Sequence, residues 1–403
     1  MCDTKEAEVE TSIWQRRGGA RRPGRGRRRA AVVLPIGLAA AALLVGPSFG
    51  TAAFSHARAG KTSSPAALLV VQRTGAKDDL VRVAAGTSQT VGTLPARAGS
   101  ACAAPDGSAV AYLPLKTGPA FWVATPAGAV TTVSLTDLGV RVVDAVTWAS
   151  PTTLIVSGSK KHGWLDPASD FLYEVTAGTW TVKPFRGLRG AEPSASPEAG
   201  ALVFVRIADA GPWPGMPGVR KLRERLMLLD LAQTSPPKAI ETESHVSDLN
   251  IRGFYQPQIS PDGKRVATST TGSDTTAIYR IWSTQGGAAL YRKRTNDPGY
   301  RFAPAAWDAS GERLAFWGMT ETSDWDETLR VWIYDVAAGK PDVSGELGSF
   351  AVDGFAWSAG GDLAIGMYSL AKSPDQGAVS LATGGSLGQL TEVVTGGLPA
   401  WVK

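Results

Sequence analysis

Few of the 403 residues have the types and spacing that chemistry requires. The three histidines (His56, His162, His245) and two cysteines (Cys2, Cys102) do not fall at the spacing of a zinc site. Asp166, Asp170, Asp324 and Asp326 offer oxygens of the kind calcium takes, but neither stretch follows an EF-hand loop. Gly384-Gly-Ser386-Leu-Gly388 fits the formula of a nucleophile elbow. That device needs a strand-turn-helix setting and a later histidine, and no histidine follows His245. There is no glycine loop of the phosphate-cradling kind. The expectation is a protein without a catalytic constellation, metal or cofactor.

Recognition is the chemistry that remains. Trp164, Trp213 and Trp325 stand with His162 and His245 in long polar connections, where aromatic side chains serve as interface anchors. Lys160, Lys161, Arg220 and Lys221 make one region basic, while Glu321, Asp324, Asp326 and Glu327 make another acidic. The binding candidates are therefore His162, Trp164, Trp213, Arg220, His245, Trp325 and Asp326.

These residues need a scaffold, and the sequence supplies it as a repeat. An apolar residue followed by a turn cluster recurs at Ala103, Trp148, Ala195, Ile259, Trp307, Trp357 and, without its turn, Trp401. Successive spacings are 45, 47, 64, 48, 50 and 44 residues. The fullest cluster is Ile259-Ser-Pro-Asp-Gly263, in which Pro and Asp preset the turn and Gly accepts a positive φ. Strand-like runs follow each cluster, for example SAVAYL, ALVFVRI and ERLAFWG. The only helical pattern is a brief amphipathic one at Val219–Leu231. Four-stranded units of about 40–50 residues are the signature of propeller blades. Three runs before Ala103 lack an inner strand, and Gly397–Trp401 is a lone strand at the other end. Together they complete one blade. The expectation is an all-β, seven-bladed propeller over 66–403 closed by the C-terminal strand, with six blades as the alternative.

With strands running from inner to outer, the short turns fall on one face of such a ring. The long connections 159–169, 208–221, 241–253, 318–328 and 369–377 fall on the other, which marks that face for binding.

The motif Pro257-Gln-Ile-Ser-Pro-Asp-Gly-Lys264, with Trp307, Trp357 and Pro399-Ala-Trp401 as partial copies, resembles that of the TolB-like β-propellers. The resemblance covers the repeat and implies the fold. Thr152 and Glu198-Ala199 depart from the pattern. Where TolB carries a separate N-terminal α/β domain, a tail and an apolar segment stand here, so the partners of TolB do not transfer.

The net charge of +5 belongs to the first thirty residues, which hold nine basic and four acidic groups. The remaining 32 groups of each sign cancel. This argues against a basic nucleic-acid-binding domain. Residues 1–29 read as a disordered basic cytoplasmic tail, 30–54 as a transmembrane helix or signal anchor, and 55–65 as a linker. Arginines before the apolar run favour a cytoplasmic N-terminus and an extracytoplasmic propeller. Cleavage at Ala57-Arg58-Ala59 would make the protein secreted. Cys2 and Cys102 then lie on opposite sides of the membrane, and Cys102 is expected to be a buried small hydrophobe.

The functional expectation is a membrane-anchored, non-catalytic module that binds a protein or a cell-envelope ligand, with no nucleic-acid partner. The alternatives are a propeller-based lyase or glycan-acting hydrolase using loop carboxylates and His162, and a membrane-tethered sensor.

Overall fold

The computed structural model describes residues 67–161, 170–212, 220–246, 254–271, 276–296, 305–321, 327–348, 350–369 and 377–403. The apolar segment 30–54 lies outside them. Among the described residues, no helix is long and apolar enough to cross a membrane.

Among the described residues, twenty-eight strands form seven antiparallel blades. Blade one holds β1 (Ala67–Thr74), β2 (Lys77–Ala84) and β3 (Thr87–Thr93). Blade two holds β4 (Ala98–Ala103), β5 (Val110–Pro114), β6 (Ala120–Ala124) and β7 (Val130–Ser134). Blade three holds β8 (Val142–Ser150), β9 (Thr153–Ser159), β10 (Asp170–Thr176) and β11 (Thr181–Arg189). Blade four holds β12 (Ala191–Ser196), β13 (Ala201–Pro212), β14 (Arg220–Asp230) and β15 (Lys238–Val246). Blade five holds β16 (Tyr255–Ile259), β17 (Arg265–Thr271), β18 (Thr276–Ser283) and β19 (Tyr291–Asn296). Blade six holds β20 (Ala306–Trp307), β21 (Arg313–Glu321), β22 (Glu327–Asp335) and β23 (Lys340–Gly348). Blade seven holds β24 (Phe350–Trp357), β25 (Leu363–Ser369), β26 (Gly377–Ala382) and β27 (Leu390–Thr395).

The last strand, β28 (Gly397–Val402), pairs with β1 and becomes the inner strand of blade one. The ring therefore closes as the repeat predicts, with seven blades and not six. The stretch 219–231 departs from its helical pattern, because β14 is a strand. Leu222, Glu224 and Leu226 are buried on one side of it, while Arg223 and Arg225 point to the other. Alternation of period two wins because each face must meet a different neighbour.

That demand explains the apolar runs. In β1, Leu68 and Val70 pack on blade seven, while Ala67, Leu69 and Val71 pack on blade two. Seven hydrophobic clusters result, one for each junction between blades. Cys102 is half-buried against the cluster between blades two and three, and burial pushes its thiol pKa up.

The recurring tryptophan belongs to these junctions. Trp148, Trp307, Trp357 and Trp401 donate from Nε1 to the carbonyls of Cys102, Gln258, Ala306 and Ala356, at 2.9–3.0 Å. Each acceptor stands one residue before the repeat position of the adjoining blade. Blades four and five have Ala195 and Ile259 at that position, and there the bond is reversed. The Thr147 and Ser194 hydroxyls accept the Ala195 and Ile259 N–H groups at 3.1 and 3.2 Å.

Candidate binding face

Each inner strand starts at one rim and ends in a turn at the other. The turn rim is compact. Ser260 donates to Asp262 at 2.5 Å, and Asp262 accepts the Lys264 N–H at 3.0 Å, with Gly263 at φ 71°. Partial burial works against the Asp262 carboxylate, but these bonds, with Arg265 and Lys264 beside it, outweigh that and hold its pKa below the usual range. The Gly384–Gly388 stretch lies on this rim too. It is a 3-10 turn rather than an elbow, and Arg313 donates to the Gly384 carbonyl at 2.9 Å while lying over the Trp357 ring.

The opposite rim receives the connections β9–β10, β13–β14, β15–β16, β21–β22 and β25–β26, all of them among the long ones read from the sequence. His162, Trp164, Trp213, Trp325 and Asp326 lie outside the described residues. Arg220 begins β14 and His245 lies near the end of β15, so the backbone carries both to this rim. Two exposed large apolar side chains, Leu115 and Phe350, stand there as well.

Carboxylates that the sequence did not single out shape the same rim. Asp78 accepts the Ala98 N–H at 2.6 Å, Glu192 that of Gln256 at 2.7 Å, Glu224 that of Phe254 at 2.9 Å and Asp353 that of Leu398 at 3.1 Å. Each bond runs from one blade to the start of the next inner strand. Register shifts at these starts create bulges, and Glu192, Gln256 and Leu398 adopt positive φ there. Burial pushes the Asp353 pKa up to about 6; the Leu398 N–H and Arg73 oppose that rise, and Asp78 adds to it. Burial likewise raises the pKa of Glu243, which pairs with Arg280. The four carboxylates are thus engaged with backbone at three junctions. Among the described residues, no group of three or more potential ligands gathers for a metal. A motif search misses these acids because each sits outside the repeated turn.

Blade four adds a basic cleft of about 90 Å³, lined by Arg206, Ala208, Asp209, Ala210, Arg223 and Arg225. It belongs to the basic region expected from Arg220 and Lys221, but is built by other arginines.

The fold places this chain in the class of seven-bladed β-propellers. No known family and no curated protein matches it. Among solved structures, it resembles a hypothetical selenium-binding protein from Sulfolobus tokodaii, with 10% identity, 85% of this chain and 94% of that chain covered, and a TM-score of 0.52. TolB from Acinetobacter baumannii has 18% identity, covers 84% of this chain and 66% of its own, and has a TM-score of 0.43. The C-terminal WD40 domain of Sif2 has 12% identity, with 84% and 83% covered, and a TM-score of 0.45. TolB and WD40 propellers are thus among its structural neighbours, and at these identities the likeness concerns fold alone.

Proposed function

We propose that this protein is a non-catalytic binding or scaffolding propeller that captures a protein or cell-envelope partner on its long-connection rim. The observation that carries the reading is the asymmetry of the ring. One rim is built from short, internally bonded turns, whereas the other gathers the long connections; exposed large apolar side chains stand at both, Leu290 on the first and Leu115 and Phe350 on the second. The rim carboxylates Asp78, Glu192, Glu224 and Asp353 are engaged with backbone N–H groups, while the loop residues Asp166, Asp324, Asp326 and His162 of the hydrolase or lyase alternative lie outside the described residues. In this reading residues 30–54 tether the propeller outside the cytoplasm, with the arginine-rich tail inside.

Replacing Trp164, Trp213 and Trp325 together by alanine is expected to abolish partner capture in a pull-down while leaving the circular dichroism spectrum unchanged. Undiminished capture would reject this rim as the binding face. A reporter fused after residue 66 tests the topology. Activity from a cytoplasmic-type reporter alone would overturn the exported reading.

A further inference from the structure

The cleft on blade four has a charge pattern that its own fold does not use. Arg206 and Arg225 are directly opposed across the β13–β14 pair, and Arg223 faces Ala208 one step nearer the rim. Like charges placed opposite one another destabilise a sheet, so an unused pair of this kind is a cost. None of the three arginines forms an ion pair with a described residue. The acids nearest in sequence are turned away: Glu224 accepts the Phe254 N–H on the blade-five side, and Glu243 pairs with Arg280 there. Asp209 lines the cleft, but one of its oxygens already accepts the Gly211 N–H at 2.8 Å. Three guanidiniums against one carboxylate leave two positive charges around about 90 Å³, with Ala208 and Ala210 keeping the space open.

We infer that this cleft is a binding site for a dianionic phosphate group, either the free ion or the end of a phosphomonoester. A phosphate monoester carries about −1.5 to −2 charges at neutral pH, which matches the excess of two, whereas a single carboxylate supplies one. The planar forks of arginine hold phosphate oxygens in pairs, and the β13–β14 register sets the three arginines side by side on one face of the sheet. The site lies on the face of blade four turned towards blade three, beyond the packed layer of Phe204 and Met227.

The test is calorimetric titration of the full-length protein with inorganic phosphate, glycerol phosphate and succinate. Saturable binding of a phosphate probe is expected, weakening as salt is added and falling about tenfold or more in Arg206→Gln/Arg223→Gln/Arg225→Gln. Arg141→Gln, an exposed arginine on another blade, should leave it intact. Without phosphate the triple variant should melt at or above the wild-type temperature, because the opposed charges are gone. Arg225→Lys, which keeps the charge and loses the fork, should weaken binding several-fold. Tighter binding of glycerol phosphate would mark the natural ligand as a phosphorylated molecule, and tighter binding of inorganic phosphate would mark it as the ion. No saturable binding, equal affinity for succinate, or undiminished binding by the triple variant would overturn the site. The arginine variants keep Trp164, Trp213 and Trp325, and the tryptophan variant keeps the three arginines, so phosphate titration and partner capture test this inference and the proposed function by different substitutions and different readouts.

Discussion

At the scale of single residues, junctions rather than blades carry the polar interactions that specify the ring. Trp148 is almost fully buried, and its indole N–H reaches another blade. Trp148→Phe keeps most of the ring's apolar contact but removes the indole hydrogen bond to the Cys102 carbonyl, so a loss of about 1 kcal/mol is expected in urea unfolding. A loss near zero would mean that the bond is idle. Asp353 gives a pH signature. Its folded pKa, near 6, stands above that of an unfolded aspartate, so the folded state holds the proton more tightly. Its contribution is complete below about pH 4 and is lost as pH rises through 6, a change on the order of 3 kcal/mol. Asp353→Asn should flatten the fall in stability between pH 4 and 6 that this group causes. An unaltered slope in urea midpoints across that range would exclude the assignment. The two residues are not equally legible in the sequence. The tryptophan recurs with the repeat period, whereas the burial of Asp353 depends on a bulge facing Leu398, 45 positions away.

At the scale of elements, the repeat is legible because the turn chemistry repeats with it. Ser260-Pro-Asp-Gly263 announces a hairpin in any context, and β28 can be assigned to blade one by counting strands. The stretch 219–231 reads as a helix, but Arg220–Asp230 within it folds as a strand because RKLRERLMLLD satisfies both periods over a short window, and only neighbours on both faces decide between them. The long-connection rim is legible as a grouping of long loops, but the acids built into it are not, since no local pattern marks them. β28 carries Leu398, Ala400 and Val402 into the cluster between blades one and two. Deleting residues 397–403 removes this strand and opens sheet edges on either side of the gap. The melting temperature is expected to drop by at least about 10 °C, or the protein to aggregate. A melting curve that superimposes on the wild type would show that closure does not depend on β28.

For the whole molecule, stability is circular, since seven junction clusters must form together and no blade buries both faces alone. A circular permutant that joins β28 to β1 through a short linker tests this directly. Ala67 is already paired with Val402, so the linker spans little distance. The permutant should keep the wild-type circular dichroism spectrum yet unfold faster in denaturant, because its new ends meet between blades and not inside a sheet. Equal unfolding rates would show that closure within a sheet confers no kinetic protection.

The antiparallel pairing of Ala67 with Val402 also fixes how the ring bears mechanical load. Tension between the two chain ends opens that pair first and then the next, peeling β28 away one hydrogen bond at a time. Tension between Ala67 and a partner held at the far rim runs along the strand axes instead, so the bonds of β1 to both its neighbours resist together in shear. The same strand is thus weak against peeling and strong against a pull through the long-connection rim.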